Sequence, residues 1–183
     1  MDHVVIVLAM HGAPPNDFPK HEIAELFGLH VRLEQAAGPE RAALEGRHAQ
    51  LESKMRAWPR TAKNDPFFAG SLELANHLNQ ETGLEVILGF NEFCAPSLEE
   101  ALERAMQPPT RKVVVVTPMM TQGGEHSETD IPNAIQHGRQ RHPLVEVVYA
   151  WPFAVDQVAQ FLASQIAPYI GKDDPRRSST AGY

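Results

Sequence analysis

Four short runs of β-branched and aliphatic residues punctuate the chain, at residues 4–9, 84–90, 112–117 and 145–149. Each is apolar at nearly every position, the mark of a strand covered on both faces in a parallel sheet. Helical spacing fills the intervals. Residues 22–56 carry it with breaks at Gly28, Gly38 and Pro39, which predicts two helices, the second rich in the strong helix formers Ala, Glu, Leu and Arg and closed by Trp58-Pro59. Residues 71–82 predict a third helix stopped by Gly83. Ser97 with Glu100 three residues later forms a capping box over the next helix, which Pro108-Pro109 ends. Residues 130–140, with Pro132 in the first turn, and 155–170 complete the set.

This alternation predicts an α/β fold: an open parallel sheet of about four strands, right-handed crossovers and helices on both faces. Residues 1–170 read as one domain with a helical insertion around 14–65, and residues 171–183 as a polar, frayed tail. No internal repeat is visible.

Composition narrows the function. The formal net charge is -7 and no Lys/Arg cluster appears. Arg139, Arg141 and Arg176-Arg177 read as solvated charges, so a nucleic-acid partner is not expected. The lone cysteine, Cys94, excludes an intramolecular disulfide and a CxxC metal site, and it fits a reducing cytoplasm. The apolar run at residues 4–10 is too short to span a bilayer, so no membrane segment is expected.

Open sheets of this kind bind ligands beyond the carboxyl ends of their strands. The polar residues there are His11 after the first strand, Asn91 and Glu92 after the second, and Thr121, Gln122, Glu125 and His126 after the third. Two imidazoles and a carboxylate suit a first-row divalent ion, and fewer than four protein ligands leave positions open for exchange. Each residue also has a plainer reading. His11 beside Gly12 can serve a turn, and Glu92 can be a surface acid. His126 can simply precede a helix whose N-terminus favours Glu125, Glu128 and Asp130. The other histidines (His3, His21, His30, His48, His77, His137 and His142) read as surface residues away from this edge.

Three stretches carry a resemblance: VVIVLAMHG at 4–12, GFNEFCAPSLEEAL at 89–102 and VVVVTPMMTQGGEHSETDIP at 113–132. With these the chain resembles the CbiX group of class II chelatases, which includes sirohydrochlorin cobaltochelatases and ferrochelatases. The resemblance implies a flavodoxin-like, chelatase-like half domain. It implies a lyase that inserts Co²⁺, Fe²⁺ or Ni²⁺ into sirohydrochlorin or a related tetrapyrrole, in cobalamin- or siroheme-type biosynthesis. The metal is then a substrate, and no organic cofactor is expected. His11 and His126 match the family histidines that hold the metal and act on the pyrrole protons, and Glu92 falls in the place of a family glutamate. One set of motifs implies a short member that pairs as a homodimer.

The region from 14 to 65 is longer than short chelatases need. Its HGAPPND opening and the later segment WPRTAKNDPFFAGSLELANHL are similar instead to protoporphyrin ferrochelatases, which leaves the choice of macrocycle open. The insertion is expected to act as a lid, as a dimer contact or as inert decoration. Arg111, Lys112 or lid residues are the expected partners of the macrocycle's carboxylates, and Met10, Met119, Met120, Phe90 or Phe93 the expected contacts of its faces, unless they are plain core. Metallation removes two pyrrole N–H protons, and an imidazole, which unperturbed titrates near pH ~6.5, suits that transfer. Competing readings are a metal-delivery protein, a tetrapyrrole-binding module without catalysis, and a histidine hydrolase. The last is disfavoured by Met10, which stands where an Arg-His-Gly motif needs its arginine.

Overall fold

A computed structural model describes residues 3–33 and 35–170. Its strands, β1 (Val4–Met10), β2 (Glu85–Phe90), β3 (Lys112–Val116) and β4 (Glu146–Tyr149), form one sheet in the order β2-β1-β3-β4. All pairings are parallel, with Val7 opposite Ile87 on one side and Val115 on the other. The chain steps from β1 outward to β2, then returns past β1 to place β3. The crevice at such a reversal is where open sheets receive ligands, and here it lies between β1 and β3.

Alternate residues of β1 serve two cores, because successive strand side chains point to opposite faces. Val5, Val7 and Ala9 join Leu98, Ala101 and Leu102 of α4 (Leu98–Ala105) and Ile131, Ala134 and Ile135 of α5 (Ile131–Arg141). Leu8 and Met10 join Leu88, Phe90 and Ala75 of α3 (Pro66–Thr82), with Phe68 packed alongside. Burying each such Val or Leu contributes roughly 1.5–3 kcal/mol. Helices therefore cover both faces, as the sequence predicts. At Gly89 a Cβ would stand 2.7 Å from that of Ala101, so the missing side chain lets α4 settle on β2.

The 14–65 segment builds a hairpin of α1 (Lys20–Leu33) and α2 (Gly38–Arg56) with its own core of Phe18, Leu26, Leu29, Leu44, Leu51 and Met55. Two ion pairs, Glu22 with Lys54 and Glu25 with Arg47, run across it in the order an antiparallel pair requires. Gly28 does not break α1; the break falls at residues 35–37, ahead of Gly38 (φ 58°) and Pro39. Helix α3 starts five residues before the predicted Ser71. Asp65 caps it by accepting from Phe68 N at 2.8 Å, and Pro66 takes the first position, where a missing N–H costs nothing.

By internal contacts the chain divides into two units, Met1–Trp151 and Pro152–Tyr183. The second holds α6 (Val155–Ile166), whose continuation tightens to a 3₁₀ turn at Ala167–Tyr169 around Pro168, where the sequence had extended the helix to residue 170. The tail expected at 171–183 lies outside the described residues. No described helix is long and apolar enough to cross a membrane.

Candidate metal centre

Strands β1 and β3 lie side by side and parallel, so the loops leaving their carboxyl ends emerge together. The first delivers His11. The second runs through Gly123 and Gly124 into a π-helical turn, His126–Asp130, that leads directly into α5. Such widened turns concentrate at functional sites, and this one stands directly ahead of the helix predicted from residue 130. It sets His126 against His11, with Nε2 to Nε2 3.2 Å and the ring planes at 84°.

The second loop partner comes from β2. Its pairing with β1 continues past the strand ends: Asn91 N donates to Met10 O, and Glu92 N donates to His11 O, both at 2.9 Å. That close approach requires Gly12. Its φ is +105°, and a Cβ there would lie 1.9 Å from the carbonyl oxygen of Glu92. Glu92 Oε2 consequently stands 3.8 Å from His11 Nδ1 and 3.8 Å from His126 Nε2.

Hydrogen bonding orients both imidazoles. His11 Nδ1 lies 2.9 Å from Gly12 O, and His126 Nδ1 lies 2.6 Å from Asp130 Oδ2. Both neighbours only accept, so each Nδ1 is the donor in its bond, and in the neutral ring Nε2 then presents a lone pair. Two lone pairs facing each other at 3.2 Å repel unless a proton or a cation lies between them. Two nitrogens each about 2.0–2.1 Å from one ion stand roughly 3.0–3.4 Å apart in neighbouring positions. The donor atoms of His11, Glu92 and His126 all fall within 4.8 Å of one another, the one such cluster of three among the described residues.

A cleft of about 630 Å³ opens beside this cluster, between the α1–α2 hairpin and α5. Phe27, His30 and His48 line it from the hairpin, Glu92 and Phe93 from the loop after β2, and His137 from α5. The volume is that of a small-molecule site.

Several expectations change. His30, His48 and His137 are not remote surface residues; they line the cleft, which the sequence could not reveal because the hairpin's docking sets their position. Arg111 and Lys112 sit at the opposite, amino-terminal edge of the sheet, where Lys112 Nζ pairs with Glu146 at 2.9 Å, and so cannot meet a ligand in this cleft. Met10 and Phe90 are core residues. Met119 packs against the main core, while Phe93 does reach the cleft. Thr121, Gln122 and Glu125 are exposed and join no cluster, and Glu128 accepts from Gly123 N at 2.8 Å. Asp130, read from sequence as a helix-end acid, is instead the partner of His126. The four-residue spacing was the available signal.

A profile of the CbiX family matches residues 69–168, a span that includes Glu92 and His126 but not His11. The sirohydrochlorin ferrochelatase of Priestia megaterium is 34% identical over 68 residues, 37% of this chain and 25% of that protein. The sirohydrochlorin cobaltochelatase of Methanopyrus kandleri is 26% identical over 123 residues, 55% of this chain and 85% of that one. The chain thus spans a quarter of the first relative. Among solved structures, the sirohydrochlorin chelatase SirB from Bacillus subtilis subspecies spizizenii, in complex with cobalt, aligns with TM-score 0.46 at 15% identity over 92% of this chain and 51% of its own. A cobalamin (vitamin B12) biosynthesis CbiX protein from Marinobacter aquaeolei VT8 aligns with TM-score 0.48 at 16% identity over 91% of this chain and 95% of its own. Because the profile covers more than half of its length, the chain belongs to the CbiX family.

Proposed function

We propose that this chain is a lyase of the chelatase type. It inserts a divalent cation into sirohydrochlorin or a closely related tetrapyrrole, with His11, Glu92 and His126 as the cation's ligands. The observation that carries this reading is the pair of Nε2 atoms 3.2 Å apart, each ring held by a partner on its own Nδ1. Imidazole and carboxylate donors suit Co²⁺, Fe²⁺ and Ni²⁺ alike. The named relatives include a ferrochelatase and a cobaltochelatase, so Co²⁺ and Fe²⁺ are the first cations to offer.

Metallation exchanges one cation for two protons. The cation arrives on three protein ligands with its remaining positions open, which keeps it exchangeable. A macrocycle seated in the adjoining cleft presents its pyrrole nitrogens to those open positions. As the cation passes to the ring, the two imidazole Nε2 atoms are released as bases and take up the pyrrole protons. Asp130 stabilises the imidazolium formed at His126 through the Nδ1 hydrogen bond. His11 is exposed, so its proton passes on to water. Glu92, 3.8 Å from both rings, is a further acceptor.

Sirohydrochlorin is mixed anaerobically with each of Co²⁺, Fe²⁺ and Ni²⁺, and the macrocycle's absorbance is followed. The chain should accelerate the spectral change with at least one cation, and His126→Ala should abolish the acceleration while leaving the circular dichroism intact. Cation binding with no spectral change would replace this reading by metal delivery. A single set of ligands supports pairing of two copies, which light scattering tests, and the lone Cys94 supports a cytoplasmic site of action.

A further inference from the structure

The carboxylate of Glu92 has no hydrogen bond among the described residues, and its Oε2 stands 3.8 Å from an imidazole nitrogen of each histidine. Its place is therefore set by the backbone of the loop that carries it, and that backbone is held from outside the sheet. Arg56, the last residue of α2, donates from Nη1 to Cys94 O at 2.7 Å and from Nη2 to Asn91 O at 3.0 Å. Arg60 donates to Phe93 O and also, at 2.7 Å, to Ala13 O in the loop that carries His11. Cys94 N donates to Glu92 O at 2.6 Å. Every carbonyl from Asn91 to Cys94 is thus engaged, three of them by guanidinium groups, and hydrogen bonds to charged groups are about twice as strong as neutral ones. Phe93 lies between them in the left-handed region (φ 58°), costly for a bulky residue. Its ring is fixed against the hairpin core and meets Phe27 of α1 edge-on, centroids 5.9 Å apart.

We infer that Arg56 and Arg60 are positioning residues, through which the 14–65 segment fixes Glu92 relative to His11 and His126. The inference rests on the reading of those three residues as cation ligands. The 14–65 segment thereby gains a role, since it sets the ligand spacing by gripping one loop with Arg56 at the end of α2 and stapling both loops together with Arg60 just beyond it. Removing the grip frees Glu92 to swing away from the imidazoles without touching any ligand.

The test uses the full chain and Co²⁺ as the probe, read by its visible absorption band and by affinity, in Arg56→Met, Glu92→Gln and the double variant. Arg56→Met should lose affinity on the order of tenfold and shift the Co²⁺ band as Glu92→Gln does. The double variant should bind no more weakly than Glu92→Gln alone, because Arg56 acts only through that carboxylate. Arg56→Lys keeps the charge but cannot span both carbonyls; it should fall between wild type and Arg56→Met, and it serves in the same cycle if Arg56→Met does not fold. Losses that multiply in the double variant, or an Arg56→Met band identical to wild type, overturn the clamp. His126→Ala separates the two levels. Co²⁺ binding unchanged in that variant sinks the ligand assignment and the clamp with it. Binding lost there, with multiplying losses at Arg56 and Glu92, sinks the clamp alone.

Discussion

Nδ1 of His126 lies 2.6 Å from Oδ2 of Asp130, inside the π-helical turn that begins with that histidine. The carboxylate holds the ring's orientation and tautomer, leaving Nε2 to face the centre. Removing such a partner generally costs about 10–100-fold in metal affinity. Asp130→Ala should therefore weaken Co²⁺ binding by that factor, whereas His126→Ala should abolish it. Equal affinity in wild type and Asp130→Ala, measured by spectroscopic titration, would show that the ring needs no such support.

Gly12 stands where two loops nearly touch. Gly12→Ala forces a Cβ into the Glu92 carbonyl and strains a backbone at φ +105°. The backbone alone should cost about 1–3 kcal/mol, read as a lower midpoint in urea unfolding, and the parted loops should bind Co²⁺ more weakly. Unchanged stability and affinity would mean that His11 and Glu92 are not held this closely.

Asp65 is 1% exposed and its partner Arg60 is 5% exposed. Losing one member of a buried pair strands the other charge, at about 3–5 kcal/mol. Asp65→Ala also removes the cap of α3, worth about 1 kcal/mol more. It should be among the most destabilising single changes in the chain. A loss below about 1 kcal/mol in denaturant titration would contradict the pairing, since that is the scale of an exposed pair.

Cys94 is buried, and desolvation pushes its thiol above the ordinary 9.0. The folded chain thus resists forming the thiolate. Stability contributed at lower pH should be lost as pH rises from about the unfolded value toward the raised folded one. Cys94→Ala should flatten that alkaline decline. Thiol reagents at neutral pH should label the native chain far more slowly than the denatured one; equal rates would place Cys94 at the surface.

The sheet was legible in the sequence because four both-sided apolar runs admit little else, and their loops advertised His11, Glu92 and His126 as candidates. What periodicity cannot convey is which strands become neighbours. The meeting of His11 with His126 depends on β3 returning to lie beside β1, a choice written in tertiary packing. The hairpin was visible as two helices, but its docking was not, because it hangs on Arg56 and Arg60, charged residues that look like solvated surface in a linear reading. That is why His30, His48 and His137 read as remote surface although they line the cleft. Asp65 is hidden for the opposite reason: the apolar repeat from Ser71 is complete without the Asp-Pro pair that starts the helix earlier.

His11 and His126 are 115 positions apart along the chain, yet their nitrogens stand 3.2 Å from each other. Once the polypeptide denatures, those donors disperse and nothing comparable remains to chelate an ion. If the proposed ligands hold a cation, the melting temperature should rise with the logarithm of free cation concentration above the dissociation constant, so a thermal shift assay doubles as a metal-selectivity screen.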